Sequence, residues 1–231
     1  MGDTKPVFQR AATPITMTRP RRSLRADGAS TRARILEAAG QLFGQYGYAG
    51  VASKAICTAA GADLAAINYH FGSRDGLYRA VLIEGHKHFI NLDTLTALAQ
   101  SDLPPREKLC AFIDGMVAGL WEQSWHTRVC AREVLAPSAH FAALIDEEVL
   151  PKFRLVAGIL GDITGFAPGD PALARCAVSI VAPCMMLMVV DRNAPSPPQQ
   201  VLAQPAADLA EHLKRFALAG LDAVSAGAPR R

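Results

Sequence analysis

The chain is poor in aromatic residues (6%) and in charged ones (19%), while half of its 231 residues are apolar. So apolar a composition excludes an intrinsically disordered protein, and so long a chain can bury a sizeable core. Cysteine is scarce: Cys57, Cys110, Cys130, Cys176 and Cys184 are odd in number, far apart and form no C-x-x-C. That excludes a small disulfide scaffold and argues against a zinc or redox pair. The longest apolar run, 178–190, covers 13 residues and contains Pro183, short of the ~20 a membrane helix needs. A buried helix is expected there, and no membrane partner. Arg21-Arg22 superficially suggests a twin-arginine export signal. The apolar stretch such a signal requires does not follow, since Ala26-Asp27-Gly28-Ala29-Ser30 comes next, so a cytoplasmic protein is expected. Catalytic signatures are missing too: there is no G-x-S-x-G, no H-E-x-x-H and no phosphate loop. His86 and His88 stand two apart and do not share a helix face. No enzyme activity, cofactor or metal is expected.

What charge there is lies unevenly. Residues 1–30 hold six basic residues (Lys5, Arg10, Arg19, Arg21, Arg22, Arg25) against two acids, net +4, and the remaining 201 residues are net −1. With Pro6, Pro14 and Pro20 and little apolar periodicity, 1–30 reads as a flexible basic arm that either tracks DNA phosphates or serves as a solubilising tail. From Thr31 the pattern turns helical: Ile35, Leu36, Ala39, Leu42 and Phe43 repeat at three and four residues. Ser30 or Thr31 is placed to cap this helix and Gly47 to end it. Short helices follow at 53–60 and 63–71, and a fourth from Asp75 into the high 90s. Longer, more apolar helices are predicted at 105–122, 126–136, 139–164, 171–192 and 205–225, broken by Pro137, 165–171 and 195–198. Strict alternation bounded by hairpin turns is nowhere seen, so no strands are expected. The fold class is all-α, with an N-terminal three-helix domain over 31–76 and a C-terminal helical bundle over 77–231.

Residues 53–71 carry the clearest signal. Two short helices joined at a glycine make a helix-turn-helix when their inward positions are apolar. Ile56, Ala59, Ala62, Ile67 and Phe71 form that inward set, Gly61 supplies the turn and Asp63 caps the second helix. Leu64, Ala65, Asn68, Tyr69 and His70 then face outward. An αα-hairpin that merely packs would share the spacing, with Tyr69 against the first helix or His70 on a backbone carbonyl.

The surrounding residues resemble the DNA-binding domain of TetR-family transcriptional regulators. The likeness lies in T-R-A-R-I-L-E-A-A (31–39), L-F-G-Q-Y-G-Y (42–48), K-A-I-C-T-A-A-G (54–61) and A-I-N-Y-H-F-G-S-R-D-G-L-Y (66–78). A-R-E-V-L-A-P-S (131–138) and E-E-V-L-P-K-F (147–153) are similar to the CecR-type branch. The chain departs from the family pattern at Val51-Ala52 and Ala55, which leaves Ser53 as the expected cap of the second helix. The resemblance implies that Ser53 and Lys54 approach DNA from the start of that helix, and that Leu64, Ala65, Asn68, Tyr69 and His70 line the recognition surface. Lys54 suits a guanine edge or a phosphate, Leu64 and Ala65 a thymine methyl, and Tyr69, His70, Thr31 and Arg74 phosphate oxygens.

A regulator of this kind reads a palindromic operator in double-stranded DNA as a homodimer, with half-sites ~34–36 Å apart. The apolar helices at 171–192 and 205–225 are expected to form the dimer interface through Val178, Val181, Met185, Met188, Leu209, Leu213 and Phe216. A small-molecule effector is expected among Phe112, Met116, Leu120, Trp121, Trp125, His126 and Phe141, where both tryptophans fall. Glu133, Asp146, Glu147 and Glu148 are expected mainly on solvated faces. The function implied is a ligand-responsive repressor. A helical interaction protein that has lost operator binding is the alternative, with an enzyme behind it.

Overall fold

The apolar stripe from Ile35 to Phe43 builds the first helix, α1 (Arg22–Tyr46), in a computed structural model describing residues 22–191, 193 and 195–227, with side chains from 28 onward. The helix starts earlier than expected. Residues 22–30 extend it, so Ser30 and Thr31 lie within it instead of capping it. The remainder of the expected arm, 1–21, lies outside the described residues. Gly47 ends α1 as predicted, with φ +74° and its amide donating to Phe43 O at 2.9 Å.

α2 (Ser53–Ala60) and α3 (Leu64–Phe71) meet at Gly61, whose left-handed φ of 59° suits a residue without Cβ. Asp63 caps α3 by accepting from Ala66 N at 2.7 Å. Ile35, Ala39, Phe43, Ile56 and Ile67 are fully buried and form the centre of this headpiece. Ala60 fills the α2 contact expected of Ala59, which is exposed, and Ala62 and Phe71 are half-buried. The start of α2 also differs from expectation. Ala52 is the cap residue and Ser53 the first helical one, so no side chain caps the helix.

α4 (Arg74–Phe89) begins at the Ser73 cap, which accepts from Gly76 N at 3.0 Å. It ends where Ile90 turns extended, and Asn91 starts α5 (Leu92–Gln100) by accepting from Asp93 N at 2.7 Å. One long helix was expected here, and a side chain able to cap splits it in two. α6 (Pro105–Trp121) and α7 (Trp125–Leu135) follow. The helix predicted over 139–164 is α8 (Phe141–Leu144), a π-helical turn (Ile145–Val149) and α9 (Leu150–Thr164) in succession. The widened turn precedes Pro151, which has no N–H to give and would press on the carbonyl four residues back in an α-helix.

α10 (Pro171–Val189) runs on through Pro183, which lies on its exposed side. By length and composition alone it could cross a membrane, with a mean hydropathy of 2.0. Its buried face, including Leu173, Ala177, Ile180, Cys184 and Leu187, instead belongs to the common core. α11 (Pro197–Leu202), where only a break was expected, starts at the Ser196 cap, and α12 (Ala206–Ala226) closes the chain on α6. The described residues contain no strand, and the fold is all-α.

Candidate nucleic-acid interface and ligand cavity

α3 is half apolar core and half open surface. Ile67 anchors it, while Leu64, Ala65, Asn68 and Tyr69 are exposed on its outer side, Tyr69 by 84%. Lys54 is exposed on α2, and Ser53 beside it is half-buried. Because Ala52 offers no capping oxygen, the amides of Ser53 and Lys54 meet no acceptor among the described residues. Such free N–H groups at a helix start suit a phosphate. Tyr69 touches the edge of the His70 ring at 4.9 Å between centroids and does not pack on α1. His70 is half-buried, its ring turned toward the α1 extension at Gly28. Thr31 is half-buried too and accepts a long bond from Arg34 at 3.4 Å.

Arg74 faces the interior. Its guanidinium donates to the carbonyls of Tyr48 and Val51, the latter at 2.8 Å, and lies 3.9 Å from the centroid of the Tyr48 ring. A cation so held ties the α1–α2 turn to the start of α4 and is not free for a phosphate, contrary to the expectation from sequence.

In the C-terminal bundle, a cavity of about 320 Å³ lies between α4, α6, α7, the π-helical turn, α9 and α10. Phe112, Met116, Leu120 and Phe141 line it as expected. Trp121, Trp125 and His126 do not. Trp125 is buried between α1 and α7 over Gly40, donating Nε1–H to Glu37 Oε2 at 2.9 Å. His126 stacks on Trp125 and on His88, at 3.8 and 4.2 Å between centroids, and burial lowers its pKa. Val178, Val181, Met185 and Met188, expected at a dimer interface, border the cavity. The reason is that α10 has one face on the core, one on the cavity and one outside. Composition marks all three as apolar and does not separate them. Leu209 and Leu213 are likewise half-buried against the core, and Phe216, 70% exposed, is open. Val178 borders the cavity while remaining 64% exposed, Met186 is exposed beside it on α10, and Val224, which sequence reasoning missed, is exposed on α12.

The cavity has one polar corner. Lys152 donates from Nζ to Glu148 Oε2 at 2.8 Å, to His86 Nδ1 at 2.9 Å and to His86 O at 3.5 Å. Lys152 and Glu148 are buried, and burial beside Lys152 pushes the His86 pKa down to about 3. Glu133 is buried as well, accepting from Tyr78 O–H at 2.6 Å and from Ser138 N and Oγ at 3.0 and 3.1 Å. Glu133 meets Tyr78 from a helix distant in sequence, and Glu148, paired with Lys152 one turn on, is buried only because α4 packs over that turn, which is why these two acids read as surface residues before the fold is known.

Residues 35–81 match the domain family described as bacterial regulatory proteins, tetR family. Residues 105–221 match the family described as HTH-type transcriptional dual regulator CecR, C-terminal domain. The HTH-type transcriptional regulatory protein RaaS of Mycobacterium tuberculosis is 44% identical over 57 residues, 25% of this chain and 26% of that protein. The chain thus matches about a quarter of that relative's length. Among solved structures, a tetR-family regulatory protein from Rhodococcus RHA1 superposes with a TM-score of 0.62 at 23% identity, over 81% of this chain and 95% of that one. The regulator FadR of Bacillus subtilis, in complex with stearoyl-CoA, gives 0.64 at 15% identity, over 81% and 98%. With its headpiece and the greater part of its C-terminal bundle matched in order, the chain belongs to the TetR family of bacterial transcriptional regulators, in the branch with a CecR-type C-terminal domain.

Proposed function

We propose that the protein is a cytoplasmic, homodimeric repressor that holds a palindromic operator through its helix-turn-helix and is released when a small molecule enters the C-terminal cavity. The observation that carries this reading is the outer side of α3, where Leu64, Ala65, Asn68 and Tyr69 stand exposed on a helix fixed from behind by Ile67. These are compact groups at the spacing of one helix face, fit to enter a major groove. Lys54 and the free amides at the start of α2 serve as phosphate or guanine-edge donors, with Ser53, His70 and Thr31 at the margin. One such helix covers too little DNA for tight binding, so a pair related by a twofold axis reads the two half-sites.

Release requires a ligand that binds a DNA-incompetent state more tightly than the competent one. The π-helical turn is placed to link the two sites. Ile145 and Val149 border the cavity, and Glu147 of the same turn pairs with Arg79 on α4. α4 in turn packs on α3 and α7. The stearoyl-CoA held by FadR of Bacillus subtilis, with its long acyl chain, supports an effector with an apolar part in a domain of this fold.

Selecting bound duplexes from a random pool, followed by titration of the recovered sequence, tests the proposal. Recovered sites should be palindromic. Replacing Lys54 and Asn68 together by alanine should weaken binding at least tenfold, each good contact being worth ~1–3 kcal/mol. Unchanged affinity in that double variant would overturn it.

A further inference from the structure

We propose that the cavity selects an uncharged, mostly apolar molecule carrying a single hydrogen-bond acceptor, a carbonyl or ether oxygen, which His86 receives at its Nε2–H. This rests on reading the C-terminal domain as the effector site and names the chemistry of that site. Apart from His86, Lys152 and Cys130, every residue lining the cavity is apolar. Lys152 has no donor to spare, since its ammonium already serves Glu148 Oε2, His86 Nδ1 and the His86 carbonyl. An ammonium only donates, so Nδ1 accepts and the ring proton belongs on Nε2. Glu148 Oε2 lies 4.0 Å from Nδ1, beyond hydrogen-bond reach. No protein acceptor among the described residues meets Nε2, and the ring borders the cavity.

The wall therefore offers one directed donor and no net charge. Lys152 and Glu148 neutralise each other at 2.8 Å while buried, and His86 stays neutral with its pKa pushed down to about 3. Cys130 stays a thiol, its pKa pushed up to about 12 by burial. An anion entering here would lose its water and meet an ammonium whose protons already go to Glu148 and His86, and a cation would meet that ammonium directly. Neither is compensated. A neutral molecule pays little for entry, and its acceptor satisfies a donor otherwise left unpaired. The volume, about 320 Å³, is at the small end of ligand pockets (~300–1,000 Å³) and is bordered by Phe89, Phe112, Phe141 and Phe153. That suits a flat bicyclic body.

Calorimetric titration of the full chain without DNA, using 2-acetylnaphthalene, 2-ethylnaphthalene and 2-naphthoate, tests this directly. The ketone should bind about tenfold or more tighter than the ethyl compound, which lacks the acceptor, and by a similar margin over the carboxylate. His86→Phe should abolish the preference for the ketone over the ethyl compound. His86→Gln, whose amide can both accept from Lys152 and donate to the ligand, should retain it. Naphthoate binding as tightly as the ketone, equal binding of all three, no binding by any, or a preference surviving in His86→Phe would each overturn the proposal. None of these outcomes bears on operator binding, which the titration with selected DNA reads separately.

Discussion

His86 shows how far a side chain's chemistry is set by neighbours remote in sequence. Its ring is charged half the time near pH 6.5 when free, and in the fold desolvation and the Lys152 ammonium bring that point to about 3. Glu148 faces the same corner across Lys152 and does not reverse the shift. Below about pH 6.5 the unfolded chain binds a proton at His86 that the folded chain refuses, so the contribution of this ring to stability falls as pH drops toward 3 and is level above 6.5. His86→Gln should flatten part of that acid slope relative to the wild type in urea denaturation followed from pH 7 to about pH 4. An identical slope in the two proteins would contradict the burial of a neutral ring. Arg74 makes the same point in another way. A basic residue just after a recognition helix looks like a phosphate contact, yet the carbonyls of Tyr48 and Val51 and the Tyr48 ring draw it inward.

Between helices, the approach of α1 to α7 shows how one absence in a sequence can be filled from afar. A Cβ at Gly40 would fall 2.4 Å from the Trp125 indole, and Glu37, one turn earlier on α1, accepts the indole N–H. Gly40→Val should therefore destabilise the protein by about 2 kcal/mol or more, since overpacking of ~1–3 kcal/mol is added to a side chain the backbone gap cannot take. Thermal or chemical denaturation checks this, and a variant as stable as the wild type would show that α7 can retreat. The element boundaries obey similar local chemistry. Asp63, Ser73 and Ser196 start helices as their side chains allow, and Gly61 turns the chain between α2 and α3. Asn91 splits an apparently continuous helix for the same reason, and Pro151 goes with a widened turn. Those two breaks were hidden because apolar periodicity runs through them.

In the intact molecule, α10 serves the core, the cavity and the surface at once. Val178 and Met186 on α10, with Phe216 and Val224 on α12, leave an exposed apolar face that a second copy can cover. Met186→Glu combined with Phe216→Glu should turn a dimer into a monomer in sedimentation measurements at micromolar concentration and should weaken operator binding, because a single head covers one half-site. A double variant that still sediments as a dimer would move the interface elsewhere.

Short-range rules were enough to read an all-α chain, the glycine turn, the Asp63 cap and the exposure of Leu64, Ala65, Asn68 and Tyr69, because backbone preference and helical spacing act over a few residues. The direction of each apolar face of α10, the turning inward of Arg74, the seat of Trp125 and the buried bond of Glu133 to Tyr78 depend on contacts between residues far apart along the chain. A hydrophobic residue carries the same free-energy drive whether it meets a core, a ligand or a partner. Which of these it meets is settled by the packing of the helices around it.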